Sequence, residues 1–232
     1  MTALRSHPLK TVPITYFSDM LCIWAYIAQM RVNELKAAFG DQIRIEPKFC
    51  SVFGASARKI STTWRDKGGY EGFNAHLRHV AEQFPEIPVS PELWLTVRPH
   101  SSTSPHLFLK AVGLQEAAGQ CPRGTAENIT WALRQAFFVS ARDIGRWEVQ
   151  CAIGEETGLD LTGISTSIHD GSAYAALASD LQDADAMHIH GSPSFVLNEG
   201  RQTLYGNVGY RVLEANIQEL LRAPSADQAS WC

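Results

Sequence analysis

The stretch Ser18-Asp19-Met20-Leu21-Cys22-Ile23-Trp24-Ala25-Tyr26, SDMLCIWAY, joins two segments of different character. Before it stands a short apolar run, TVPITYF (11–17), rich in β-prone residues, which reads as a strand. After it Ile27, Met30, Leu35 and Phe39 recur at helical spacing, so a helix is expected from about Cys22 to Phe39, stopped by Gly40. Ser18 and Asp19 are both residues able to cap that helix. The next segment, QIRIEPKF (42–49), alternates like a half-buried strand, and Pro47 puts it at a sheet edge or a strand end. The first fifty residues therefore read β-α-β, with a thiol where the strand gives way to the helix. A thiol at a helix start feels the positive end of the dipole and unpaired backbone N–H groups. Both favour the thiolate and lower the pKa.

Working outward, residues 54–160 read as mostly helical. GGYEGFNAHLRHVAEQF (68–84) ends before Pro85, and STSPHLFLKAVGLQEAAG (102–119) has Pro105 in its first turn. TAENITWALRQAFFVSARDIG (125–145) carries Ile129, Leu133, Ala136, Phe137 and Ser140 on one face, and RWEVQCAIGEETGL (146–159) stops at Gly158. SPELWLTVRPHSS (90–102) is a longer connection. The pattern then changes back. A helix over 171–190 leads through Ser192-Pro193 into the strand GSPSFVLNEG (191–200). RQTLYGNV (201–208) reads as its hairpin partner across Asn198-Glu199-Gly200, and YRVLEANIQELLR (210–222) as a closing helix. The order β-α-β, helical block, α-β-β-α predicts an α/β, thioredoxin-like fold with an inserted all-helical subdomain. Its core is discontinuous, 11–53 and 161–222; the insertion spans 54–160, and 223–232 forms a flexible tail.

With 232 residues, 45% hydrophobic and 19% charged, the chain can bury a core without a disulfide or metal staple. A net charge of −4 and no basic stripe argue against a nucleic-acid partner. The five cysteines, at 22, 50, 121, 151 and 232, are few, widely spaced and odd in number, which fits a reducing compartment. The N-terminal residues hold no uninterrupted apolar run, and no window reaches the length of a membrane span, so a cytoplasmic protein with no membrane partner is expected.

Two elements carry candidate chemistry. One is Cys22; the other is Ser192-Pro193, where a cis peptide bond would turn the backbone of Ser192 toward the thiol. There it could pair with a substrate backbone as an added strand would. A lone Cys is most often a small buried hydrophobe. The strand end, the helix start, the adjacent Trp24 and the distant Ser192-Pro193 together favour the chemical reading. His188-x-His190 lacks a third ligand at a usable spacing, so no metal site is expected. One of the two histidines could instead tune the thiol. GNVG (206–209) lacks the Lys and the context of a phosphate loop.

SDMLCIWAY resembles the active-site segment of the DsbA family, in which Asp, Cys, Trp, a second Cys and Tyr follow in this order. HGSPSFVLN (190–198) is similar to that family's cis-Pro segment. LRQAFFVSARDIGRWEVQCAIGEETGLD (133–160) and RPHSSTSPHLFLKAV (98–112) resemble parts of the helical insertion in its FrnE-like branch. The resemblance runs from about residue 12 to 222. It implies a thioredoxin-fold thiol protein, among whose relatives are dithiol oxidases, isomerases, kappa-class glutathione transferases and 2-hydroxychromene-2-carboxylate isomerases. By position Cys22 matches the nucleophile, Pro193 the cis-Pro and Ser192 the substrate-pairing residue. Trp24 and Tyr26 would line or buttress the groove.

Ala25 stands where the family has its second Cys, and Ile23 where it usually has Pro. The second Cys of a dithiol site resolves the mixed disulfide from within. Without it an external thiol must do so. The expected function is that of a monothiol thiol-disulfide oxidoreductase or isomerase, with glutathione as co-substrate and no tightly bound cofactor. One alternative is a glutathione-dependent isomerase or transferase acting on an aromatic or polyketide-like molecule, with Asn207 at the γ-glutamyl end. Another is a redox-inactive peptide-binding protein. Cys50, in EPKFCSVFG, is a candidate second thiol if its Cα comes within about 7 Å of that of Cys22, and a packing residue otherwise. Cys121, in a loop, reads as an exposed thiol and Cys151 as a packing residue; the helical block leaves room for a homodimer.

Overall fold

The computed structural model describes residues 11–222; the predicted tail and Cys232 lie outside them. Strand β1 (Val12–Ser18) organises the sheet. It pairs in parallel with β2 (Ile43–Phe49), matching Val12 with Ile43 and Ser18 with Phe49. On its other side it pairs antiparallel with β3 (Ser194–Leu197), which pairs antiparallel with β4 (Gln202–Tyr205). The order is β2-β1-β3-β4. Pro47 thus sits on an edge strand, where a missing N–H can face away from the ladder. The parallel β1–β2 pair is connected by α1 (Ile23–Phe39), as such a pair requires.

Alternation along β1 divides two layers. Val12, Ile14 and Tyr16 face α1, where Val32, Leu35 and Phe39 meet them, and α9 (Tyr210–Arg222), which adds Leu213 and Ile217. Phe17 faces the opposite way and packs with Cys50, Val196 and Ala184 of α8 (Ser172–Ala186). Met30, placed by its spacing on the buried face of α1, is 44% exposed instead.

The helical block consists of α2 (Ser56–Thr63), α3 (Gly69–Glu82), α4 (Thr103–Ala117), α5 (Thr125–Phe138) and α6 (Trp147–Glu156), followed by α7 (Leu161–His169). It does not close on itself. Its buried cluster runs from Met20 to Ile27 through Phe53, Phe73, Trp94 and Phe137 to Ile164 and Leu177. The first turns of α1 and the insertion therefore share one core. Trp94, fully buried, stands at its centre with ring centroids 5.5–5.7 Å from Phe73, Phe53 and Phe137.

The helix and strands read over 171–208 are shorter than expected, α8 ending at Ala186 and β3 and β4 spanning four residues each, and three further features depart from the sequence reading. Helix α5 ends at Phe138 rather than 145, because Ala141 takes φ 47° and the Arg142 N–H returns to the Ala136 carbonyl at 2.9 Å. This is a left-handed helix stop without the glycine that usually announces one. Helix α7 has no counterpart in the sequence reading. Its Ser, Thr and Gly content is poor helix-forming material, yet the Asp160 carboxylate accepts from the Thr162 N–H at 3.0 Å and caps it. Neither Ser18 nor Asp19 caps α1; the residue at that position is Cys22 itself. Among the described residues no helix is long and apolar enough to cross a membrane.

Phe137, fully buried, joins the insertion to the segment that carries Cys22. Phe137→Ala is expected to destabilise the whole protein by about 3–5 kcal/mol in chemical denaturation. A single cooperative transition at lower denaturant would show that insertion and sheet unfold together. Loss of the insertion alone would contradict the shared core.

Candidate functional site

Cys22 is placed by the turn that leaves β1. Its N–H donates to the Asp19 carbonyl at 3.1 Å, and its own carbonyl accepts from the N–H groups of Ala25 and Tyr26, both at 3.1 Å. Its backbone is extended (φ −85°, ψ 117°), which makes it the residue half inside α1. The Ser192-Pro193 peptide is cis. The Cys22 thiol donates to the Ser192 carbonyl at 3.2 Å, and the Ser192 hydroxyl accepts from the Asp19 N–H at 2.8 Å. Two bonds thus tie the thiol turn to the loop before β3.

The electrostatics of Cys22 are not those expected from a helix start alone. The thiol is only 6% exposed, and this burial, the largest influence, pushes its pKa up. The Ser192 hydroxyl and the N–H groups of Ala25 and Trp24 pull it down, while the charge of Asp19 pushes it up; the net shift is upward. This corrects the expectation of a lowered pKa. The helix terminus is present, but desolvation outweighs it.

Asp19, fully buried, holds the site together, and the sequence reading treated it as a cap. Its Oδ1 accepts from the Leu21 N–H at 2.9 Å. Its Oδ2 accepts from the N–H groups of Val52 at 2.9 Å and Phe53 at 2.8 Å, and from the Ser102 hydroxyl at 2.7 Å. One carboxylate thereby joins the end of β1, the segment after β2 and the start of α4. Beside it His106, stacked on Phe49 at 4.4 Å, accepts the Met20 N–H on Nε2 at 3.1 Å. Burial lowers its pKa to about 4, so the ring stays neutral. Arg134, also buried, reaches from α5 to Gln29 Oε1 (2.9 Å) and Ser18 Oγ (3.1 Å).

Cys22 opens into a cavity of about 210 Å³. Phe73 and Leu77 of the insertion and Phe53 of the segment after β2 supply an apolar wall, and Trp24 and Ile23 a second from α1. Lys59, His76 and His190 add basic groups, and Gly191, Ser192 and Tyr205 close the side of the cis-Pro loop. The Tyr205 ring lies on Gly191, where an added Cβ would come within 2.3 Å of its Cε2. Only glycine leaves that ring its place.

The predicted residues divide. Trp24 lines the cavity, but Tyr26 does not: it is a buttress, stacked on Phe138 at 4.6 Å and Trp131 at 5.4 Å, with its hydroxyl donating to the Pro88 carbonyl at 3.3 Å. Pro193 is buried behind Ser192, and its carbonyl accepts from the Gly206 N–H at 2.8 Å. Asn207 is exposed and does not line the cavity. Cys50 is a buried free thiol whose Sγ lies 3.7 Å from the Gly191 carbonyl oxygen, and burial pushes its pKa up. Cys121 and Cys151 are half-buried. His190 reaches the cavity, whereas His188 does not line it. Among the described residues no group of three His, Cys, Asp or Glu side chains is placed to hold a metal ion.

A thiol at a helix start, facing a cis-Pro loop on a four-stranded sheet with a helical insertion, defines a thioredoxin-fold protein of the DsbA type. The chain belongs to the DSBA-like thioredoxin domain family, which matches residues 13–218. Among solved structures, a Nitrosomonas europaea protein proposed to be a protein disulfide isomerase superposes with a TM-score of 0.72 at 12% identity, covering 92% of this chain and 98% of that one. The cytosolic disulfide reductase DsbM of Pseudomonas aeruginosa, in a structure with GSH, gives a TM-score of 0.63 at 20% identity over 90% of this chain and 99% of its own. In sequence the chain is 25% identical to the ClpXP adapter protein SpxH of Bacillus licheniformis over 227 residues, 94% of this chain and 69% of SpxH.

Asp19→Asn keeps one acceptor and removes the charge. It is expected to destabilise the protein by about 3 kcal/mol, since buried N–H donors lose their acceptor. It should also lower the pKa of Cys22, read from thiolate absorbance against pH, because the Asp19 charge pushes that pKa up. An unchanged Cys22 titration would disconnect the two. His106 gives a second readout. Unfolded it binds a proton near the ordinary histidine value of 6.5, folded only near 4. Stability should therefore fall as pH drops through that window, by about 1.4 kcal/mol per unit. The slope should flatten in His106→Gln, and an equal slope in the variant would assign the acid sensitivity elsewhere.

Proposed function

We propose that this protein is a monothiol thiol-disulfide oxidoreductase or isomerase of the FrnE-like branch, working in the cytoplasm, with Cys22 as its attacking thiol and glutathione as co-substrate. The observation that carries the reading is the bond from the Cys22 thiol to the Ser192 carbonyl at the wall of a cavity, at a helix start whose next turn offers Ala25 and not a second thiol. A substrate backbone that pairs with Ser192 displaces this bond. Cys22 then gives up its proton, and the Trp24 and Ala25 N–H groups hold the thiolate. Attack on a substrate disulfide forms a mixed disulfide with Cys22 and releases one substrate thiolate, which takes up a proton. Glutathione then attacks Cys22 Sγ, releasing the second substrate thiol and forming a Cys22–glutathione disulfide, and a further glutathione attacks the bound glutathione sulfur, leaves as glutathione disulfide and frees Cys22. The neighbour DsbM, a cytosolic disulfide reductase solved with GSH, supports this compartment and this co-substrate.

A second reading, a redox-inactive protein that binds a peptide along the same loop, is favoured by the raised pKa of Cys22 and by the likeness to SpxH, a ClpXP adapter. The isomerase or transferase reading has less support. The cavity, about 210 Å³, is below the ~300 Å³ at which small-molecule sites usually begin, and Asn207 lies outside its lining.

Intact-mass spectrometry after mixing with oxidised glutathione separates the first two. At early time points Cys22 should take up one glutathione in the wild type, and none should be taken up in Cys22→Ser. The rate should climb with pH and show no plateau below the ordinary cysteine range of about 8.5. A Cys22 that stays unmodified from acid to alkaline pH would overturn the enzyme reading and leave the binding one.

A further inference from the structure

We propose that Cys50 is the thiol that closes the oxidised site, attacking Cys22 from the protein side to form a Cys22–Cys50 disulfide. This inference rests on the reading of Cys22 as the attacking thiol.

The two thiols meet one dipeptide. Cys22 Sγ donates to the carbonyl of Ser192 at 3.2 Å, and Cys50 Sγ lies 3.7 Å from the carbonyl oxygen of Gly191, the residue before it. Neighbouring Cα atoms are about 3.8 Å apart, so the sulfurs are held on adjoining peptide units of a single loop. Cys22 is close enough for its charge to act on Cys50: ionised Cys22 is among the influences that raise it. The backbone fixes this approach from a second direction. The Cys50 N–H donates to the Ser18 carbonyl at 3.1 Å, and Ser18 is the last residue of β1 before the turn that carries Cys22. Both thiols are free.

Displacement at sulfur runs in line, so the proposed step requires Cys50 to reach Cys22 from the side away from the cavity. Cys22 lines the cavity and Cys50 does not. A group R bound to Cys22 as a mixed disulfide projects into the cavity, while Cys50 is buried outside the cavity lining. The step balances. Cys50 loses its proton and its sulfur bonds to Cys22 Sγ. The Cys22–SR bond breaks, and R leaves as a thiolate that takes up a proton. With the first attack included, one substrate disulfide and two protein thiols give two substrate thiols and one protein disulfide. Two molecules of a monothiol such as glutathione return the protein to its starting state and become one disulfide.

The consequence is regulation of the same site by thiol supply. Burial keeps Cys50 a poor thiolate, so abundant glutathione resolves the mixed disulfide first. When glutathione is scarce Cys50 acts, and the site is stored as an internal disulfide. In that form Cys22 is out of reach of further oxidation.

The test uses the full chain with oxidised glutathione and no reduced glutathione, quenched by alkylation over time and mapped without reduction. In the wild type the Cys22 adduct should be transient and give way to a peptide pair linked through Cys22 and Cys50. In Cys50→Ala, and in the near-isosteric Cys50→Ser, the adduct should last at least about tenfold longer. Circular dichroism confirms which variants are folded. An adduct that persists equally in the wild type, with Cys50 still alkylated, would overturn the inference and leave the proposed function standing. If no adduct forms at all, the proposed function fails, and the absence of a linked pair after treatment with a thiol oxidant such as diamide would overturn this inference as well.

Discussion

A carboxylate with no solvent contact is tolerated only if protein groups replace the water it has lost, and Asp19 meets that demand with four donors from three separate stretches of chain. The cost of burying such a group unpaired is several kcal/mol, more than most single contacts return. Each stretch is therefore fixed by the same requirement. The turn after β1 must present Leu21, the segment after β2 must present Val52 and Phe53, and α4 must begin where Ser102 can reach. The Asp19 backbone meanwhile donates to the Ser192 hydroxyl, which extends the arrangement to the cis-Pro loop. The insertion is thus bound to the sheet at the residue three positions before the thiol, and the cavity wall formed by Phe53 and Phe73 follows from that attachment.

The same closure sets the chemistry. Packing the insertion onto the first turn of α1 removes water from Cys22, and that removal outweighs the helix terminus. The donors that would stabilise a thiolate are already in position, while the medium around them favours the thiol. Such a site is held ready rather than active. In the proposed function, what changes the balance is not a new group but the replacement of the Ser192 carbonyl contact by substrate, since the thiol's own proton is committed to that carbonyl. A free, solvent-facing Cys22 would react with any oxidant. A covered one selects for partners whose backbone can take over the bond.

How much of this could be read from residues alone depended on whether the signal was local. The strand ending at Ser18, the helix beginning after Cys22, the edge strand marked by Pro47 and the turn at Ser192-Pro193 are all short-range patterns, and periodicity or turn chemistry reports them. The burial of Cys22 is not local: it depends on Phe53, Phe73 and Leu77, which periodicity assigns to faces but not to partners. Asp19 looked like a cap because its nearest helix was close, whereas three of its four donors come from residues 52, 53 and 102. His106 carried no signal, since its task is to accept one N–H inside the core. Met30 and the end of α5 failed for a related reason. A face can be apolar without being covered, and a left-handed Ala141 closes a helix without the usual residue.

Ala25 shows what these constraints mean for a thiol protein of this family. Its methyl group is fully buried within the cluster that joins α1 to the insertion. A thiol there would replace a methyl in packed surroundings, where added volume costs stability. The position is occupied by packing, not left vacant. Any group that completes an exchange begun at Cys22 must then approach from elsewhere, and the fold leaves two routes. One is the cavity, open to small thiols and rimmed by Lys59, His76 and His190. The other is the buried side of the cis-Pro loop, where β2 ends and Cys50 stands. In the proposed exchange, which route carries the second half of the reaction depends on competition between a thiol that must diffuse in and one that is already held in place but poorly ionised.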